Sequence, residues 1–175
     1  MNTPTPLADT LAELAQGLQQ RGWMLATAES CTGGLIAAAC TDVPGSSAWF
    51  ERGFVTYSNA SKTQMLGVPA ALIAQHGAVS QQVVQAMAAG AIAHSAAAVS
   101  VAVSGVAGPE GGTPEKPVGT VWVAWATPQH SWQRCLQLSG DRQQIRRAAV
   151  AITLQQLAAH WRDPCQSPCS AATDL

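Results

Sequence analysis

Charge is scarce in this chain. Only 11% of its residues are charged, nine basic and ten acidic, giving a net charge of −1. With no basic cluster, it carries no electrostatic footprint for nucleic acid or an anionic membrane. A membrane-spanning run is also missing. The most apolar stretch, residues 83–107, is rich in alanine and interrupted by Gln85, His94, Ser95, Ser100 and Ser104. A spanning helix needs about 20 predominantly apolar residues, so this stretch reads as buried core. The start "MNTPTPLADT" has no basic region followed by an apolar one, and no signal peptide is expected. Five cysteines, an odd number without regular spacing, point to reduced thiols and a cytoplasmic protein. Cys165 and Cys169 lie in the tail "RDPCQSPCSAATDL" without further clustered ligands, so they make a poor zinc site and read as incidental.

What the chain does have is small and apolar. Hydrophobic residues make up 47% of its 175 positions, enough for one domain with a proper core. Alanine, glycine and valine dominate, and a surface so poor in charge favours association with copies of itself. Leu7, Leu11, Leu14 and Leu18 recur at helical spacing and predict a first helix ending near Gly22. "WMLATA" (23–28) reads as a short buried strand, followed by a turn and the small-residue helix "GGLIAAAC". "WFERGFVTYS" (49–58) reads as a strand, and Ser58 caps a short helix through Met65. Pro69 starts a helix that stops before Gly77. Ser80 caps the next, "AAVSVAVSG" (97–105) is a buried strand, and residues 105–117 form a long loop. "VGTVWVAWA" and "SWQRCLQLS" are two adjacent strands, and residues 141–161 are the last helix. Strands alternating with helices predict an α/β fold with helices on both faces of the sheet. The closing strand pair makes that sheet mixed. Ser30, Tyr57 and Ser104 each fall at a strand's carboxyl end, where such sheets bind ligands.

Each chemical candidate reads two ways. In "TAESCTGG", Ser30 is a nucleophile beside the free N–H groups of Cys31, Thr32, Gly33 and Gly34, or it is a helix N-cap. Cys31 is a rival nucleophile or core filler. Glu29 is an orienting group or a surface acid. A serine needs a base. None of the four histidines, His76, His94, His130 and His160, falls at a strand's carboxyl end. Lys62, one of two lysines, follows Tyr57, the only tyrosine, by five residues. Desolvated, its amine is a base near neutral pH; solvated, it is an ordinary helix lysine. "SGVAGPEGG" either cradles a ligand on its backbone or is a plain loop. Arg142 and Arg146 share one helix face, as an anion trap or as surface.

Taken together, "AESCTGG", "GSSAWFERGFVTYSN", "SK" at 61–62, "GAVS", "SGVAGPEGG", "KPVGTVW", "SGDR" and "IRRAA" resemble, in order, the CinA C-terminal-domain family. The resemblance runs from about residue 7 to 161. It implies a three-layer α/β/α sandwich with a mixed, mostly parallel sheet, and no metal or cofactor. Family members that act alone at this length are nicotinamide-nucleotide amidases. The implied reaction is hydrolysis of the carboxamide of nicotinamide mononucleotide to nicotinate mononucleotide and ammonia, in pyridine-nucleotide salvage. By position, Ser30 would be the nucleophile, Lys62 its base and Tyr57 a relaying or lysine-positioning hydroxyl. Backbone groups of Cys31, Thr32, Gly33 and Gly34 would hold the oxyanion. Ser104, which stands where relatives often have threonine, Gly105, Gly108, Gly111, Gly112, Arg142 and Arg146 would bind substrate, with Glu29 and Asn59 in support. The N-terminal domain of full-length CinA proteins, linked to ADP-ribose pyrophosphatase activity, is expected to be absent along with that activity.

The expected organisation is a flexible terminus (1–6), one domain (7–161) and a flexible tail (162–175). The expected partners are a small nucleotide and further copies of the chain. The competing reading is a non-catalytic nucleotide-binding or regulatory module of the competence/damage-inducible type.

Overall fold

The structure, a computed structural model, describes residues 6–162. Apart from Pro6 and Arg162, the two expected flexible ends lie outside the described residues, as do Cys165 and Cys169. In chain order the elements are α1 (Leu7–Arg21), β1 (Leu25–Glu29), α2 (Leu35–Thr41), a short 3₁₀ turn (Ser46–Ala48), β2 (Phe50–Val55), α3 (Asn59–Leu66), α4 (Ala70–His76), α5 (Gln81–Ala93), β3 (Val99–Gly105), β4 (Thr120–Ala126), β5 (Ser131–Gln137) and α6 (Arg142–Arg162).

The five strands form one sheet in the order β2-β1-β3-β4-β5. β1 pairs in parallel with β2 and β3, while β4 runs antiparallel to both β3 and β5. This is the expected mixed α/β sheet with helices on both faces. One face carries α1, α2 and α6 over a core that includes Leu14, Leu18, Val101, Val123 and Leu154. The other carries α5, flanked by α3 and α4, over Ala28, Val84, Met87 and Ala102. All five residues of β1 are buried because both faces of this inner strand are covered. The outer strand β5 is mostly exposed, with only Leu136 buried.

Local chemistry sets the ends of the helices. Gly22 closes α1 in the left-handed conformation at φ 63°. The Ser58 hydroxyl accepts a hydrogen bond from the Ser61 N–H at the start of α3, and Ser80 accepts from Val83 at the start of α5. Several boundaries differ from the sequence reading, two of them near loops that matter for the site. Pro69 is the cap of α4 and not its first helical residue. The helix after β1 starts only at Leu35, because the backbone turns through Gly33 (φ 60°) and Gly34 (φ 97°) first. That turn leaves a short loop, residues 30–34, between strand and helix.

Because β1, β2 and β3 are parallel, Ser30, Tyr57 and Ser104 all emerge at the same edge of the sheet. Alanine-rich α5 packs closely enough that a Cβ on Gly90 would collide with the Leu66 carbonyl oxygen at the end of α3. Alanine is favoured over glycine within a helix by about 1 kcal/mol. Overpacking costs about 1–3 kcal/mol, and a backbone carbonyl cannot step aside as a flexible side chain does. Gly90→Ala is therefore expected to lower the thermal midpoint by about 2–4 °C or more. An unchanged or raised midpoint in a melting experiment would contradict this packing.

Candidate active site

Ser30 follows β1 directly, and its backbone N–H donates to the Val103 carbonyl of β3 at 2.9 Å, which fixes it to the sheet edge. Lys62 projects from the first turn and a half of α3 toward it. Its Nζ lies 3.0 Å from Ser30 Oγ, 2.8 Å from the Thr56 carbonyl oxygen and 3.5 Å from that of Tyr57. Lys62 is 1% exposed and Ser30 9%. Among the described residues no carboxylate forms an ion pair with this amine. Burial therefore holds its pKa below the ordinary 10.5, only partly opposed by the charge of the Cys31 thiolate when formed. Three oxygens surround this amine, and its neutral form can use all of them. Its two N–H bonds face two carbonyl oxygens that only accept, and its lone pair is left for the Ser30 hydroxyl proton.

Glu29 is fully buried and is no surface acid. Its carboxylate accepts from the N–H groups of Gly34 (3.0 Å), Ile36 (3.0 Å) and Ala37 (2.8 Å), and from Thr27 Oγ1 (3.2 Å). An acid at a helix start satisfies its orphan donors and its positive end. The consequence corrects the expectation of four free N–H groups. Gly34 donates to Glu29, and Gly33 donates to the Ser30 carbonyl at 3.1 Å. Only Cys31 and Thr32 keep N–H groups that donate to no acceptor in another described residue.

The Cys31 thiol is pushed up to about 11, mainly by burial, so it stays protonated near neutral pH. The histidines stand elsewhere, as the sequence placed them. His94 Nδ1 sits against the Gly90 carbonyl. His130 and His160 pack with Trp132 near the end of α6 that is remote from the site.

A cavity of about 230 Å³ opens over this pair. Ser30, Lys62, Tyr57, Asn59, Ser104 and Arg142 give it polar groups, with Gly105 and Ala107 on one wall and Ala78 and Val79 on another. The buried Ser104 hydroxyl makes no hydrogen bond to another described residue. The Tyr57 side chain is 61% exposed, and its hydroxyl accepts from Arg142 Nη2 at 3.0 Å and does not meet Lys62. Lysine positioning falls instead to the carbonyls of Thr56 and Tyr57. Arg142 also donates to the Gly108 carbonyl at 2.8 Å, which ties the glycine loop to α6 at the cavity mouth. Gly111 and Gly112 do not line the cavity. Arg146, expected beside Arg142 as an anion trap, turns away from it. Its Nε donates to the Cys31 carbonyl (3.0 Å) and its Nη2 to that of Thr32 (2.8 Å).

Two contributors escaped the sequence reading. The Thr56 carbonyl leaves no mark in a sequence, since every residue has one. Lys116, inside the quoted "KPVGTVW", donates to the His76 carbonyl at 2.9 Å, bracing the loop against the segment that supplies Ala78 and Val79.

Residues 7–161 match the model of the CinA C-terminal domain. The chain belongs to that family. A nicotinamide-nucleotide amidohydrolase, PncC, of Shigella flexneri is 52% identical over 89% of this chain and 94% of its own length. One of the same description from Pseudomonas putida is 55% identical over 87% and 95%. Among solved structures, the competence/damage inducible protein CihA of Agrobacterium tumefaciens superposes with a TM-score of 0.86 at 42% identity. It covers 91% of this chain and 98% of its own. In this CinA domain no helix of the described residues is long and apolar enough to cross a membrane. No group of three potential metal ligands stands together among them either.

A protonated, buried thiol makes a poor nucleophile. Cys31→Ala is expected to keep catalytic turnover within about tenfold of wild type, about 1.4 kcal/mol in the barrier. Loss as deep as that of a Ser30 variant, in a steady-state assay, would move the nucleophile to sulfur.

Proposed function

We propose that this protein is a nicotinamide-nucleotide amidohydrolase that releases ammonia from nicotinamide mononucleotide by serine catalysis. The observation that carries the mechanism is the 3.0 Å contact between Ser30 Oγ and an unpaired, buried Lys62 amine. The likeness to full-length relatives of that description supports the substrate.

The neutral Lys62 amine takes the Ser30 proton as Oγ attacks the carboxamide carbon. The carbonyl oxygen becomes an oxyanion facing the N–H groups of Cys31 and Thr32. The lysine, now an ammonium held by the Thr56 carbonyl, gives its proton to the departing nitrogen, and ammonia leaves. A nicotinoyl ester remains on Ser30. Water then attacks this ester with Lys62 again as base, and the proton returns to Ser30 as nicotinate forms.

The rest of the substrate extends toward the mouth. There Arg142, exposed and bonded to Gly108 and Tyr57, keeps further N–H donors for a phosphate. Ser104, Gly105 and Asn59 line the space between. Anchoring the phosphate fixes the carboxamide over Ser30, so remote binding contributes orientation at the reacting carbon. We place the reaction in the cytoplasm, in keeping with the free thiols of Cys31, Cys40 and Cys135. We also assign the working form to a homo-oligomer, in keeping with exposed Val55, Tyr57 and Met65.

The test is ammonia release from nicotinamide mononucleotide by wild type and Ser30→Ala. Wild type is expected to turn over, and the variant to lose a factor on the order of 10⁴ or more. Tight binding of the nucleotide with no ammonia from wild type would instead favour the regulatory-module reading.

A further inference from the structure

Arg146 lies one helical turn beyond Arg142 but serves a different surface. It does not line the cavity, and its guanidinium is directed at two successive carbonyls of the loop that follows Ser30. What matters is which amides those carbonyls belong to. The Cys31 carbonyl shares its peptide unit with the Thr32 N–H, one of the two unengaged donors. The Thr32 carbonyl shares its unit with the Gly33 N–H. That N–H donates at 3.1 Å to the Ser30 carbonyl, whose own unit carries the Cys31 N–H, the other unengaged donor. Two hydrogen-bonded amide chains therefore begin at one cation. The first has a single amide and ends at the Thr32 N–H. The second has two and ends at the Cys31 N–H.

We propose that Arg146 is the positioning residue of the oxyanion site, orienting and polarising the Cys31 and Thr32 N–H groups through these two chains, and that it is not a phosphate anchor. The inference rests on the amidase reading above. Its physics is that of amide cooperativity: a donor on the carbonyl oxygen draws electron density from the peptide nitrogen and sharpens its N–H as a donor. Estimates of the gain run to about 10–30% per bond. A guanidinium is stronger at the head of such a chain than a neutral donor, because its bonds are charge-assisted and its planar fork fits two acceptors at once.

The surroundings suit the role. Ile145 and Ala149, on either side of Arg146 in α6, are buried and hold the helix against the core. Gly33 sits at φ 60°, and a Cβ there would meet Arg146 Nη2 at 3.4 Å. The glycine thus permits the turn, while a Cβ there would only touch the guanidinium at ordinary contact distance. Glu29 completes the division of labour. By taking the donors of Gly34, Ile36 and Ala37, it confines the unengaged N–H groups to the two that Arg146 feeds.

The experiment compares wild type, Arg146→Met, Arg146→Lys and Arg142→Ala on nicotinamide mononucleotide and on the phosphate-free nucleoside. It also measures inhibition by the 3-formylpyridine nucleotide. That aldehyde adds to Ser30 and places an alkoxide where the oxyanion forms. Arg146→Met is expected to lower kcat about ten- to a hundredfold with KM nearly unchanged, by the same factor for both substrates. It should weaken the aldehyde by a similar factor while leaving the affinity of the nicotinate nucleotide product untouched. Arg146→Lys, a point charge able to serve one carbonyl well, should fall between. It keeps the test decisive if the methionine variant fails to fold. Arg142→Ala should act mainly on the nucleotide and little on the nucleoside. A kcat unchanged in both Arg146 variants, or a loss confined to KM for the nucleotide, overturns the inference while the amidase reading stands. No ammonia from wild type overturns both.

Discussion

A single desolvated amine governs the design of this site. Lys62 enters from α3 into the gap above the ends of β1 and β2, and there, among the described residues, it meets two backbone carbonyls and one hydroxyl but no carboxylate. A buried ammonium without a counter-ion is costly, and the group responds by losing its proton more easily. The native pKa therefore lies below the unfolded value of 10.5. In the window between the two, the unfolded chain binds more protons than the native one, so native stability rises with pH there; below the native pKa the full burden remains. A buried amine eased toward its basic form thus costs the fold stability. The all-round burial of β1 and the tight helix packing around it supply the compensating core.

Glu29 and Lys62 illustrate how one sheet edge keeps an acid and a base apart. The acid goes into the start of α2, where three N–H groups and the Thr27 hydroxyl satisfy it. The amine goes to the carbonyl side, where acceptors hold it without fixing its proton. Had the carboxylate faced the lysine, the pair would have locked as an ion pair, and the base would have been lost. Glycine at 33 and 34 makes the separation possible, because left-handed turns there delay the helix long enough for Glu29 to reach back under it.

Much of the fold was legible because local signals agreed with tertiary needs. Leucine spacing in α1, serine caps at 58 and 80, and the closing strand pair each mark an element that the structure contains. Parallel pairing of β1 with β2 and β3 then puts Ser30, Tyr57 and Ser104 at one edge, as their places at the carboxyl ends of predicted strands suggested. Side-chain direction was not legible. Nothing in "SGDRQQIRRAA" distinguishes an arginine aimed at a cavity from one aimed at backbone carbonyls, since both share a helix face. Nor does "TYSNASK" reveal that Tyr57 would turn its hydroxyl to Arg142 and hold Lys62 by its carbonyl. Glu29, named in support but left open as a surface acid, could not be decided for a related reason: its partners are N–H groups, which no residue type advertises.

The claim on which the rest depends is that burial eases the Lys62 amine toward its neutral form. With only two lysines in the chain, nitrogen-15 labelling of the side-chain amines and a Lys116→Arg variant leave a single signal to follow by NMR as pH is raised. A titration midpoint clearly below 10.5, shifted as burial of the group requires, is the expected result. A midpoint at or above that value, with the amine a cation throughout the working range, would contradict the account.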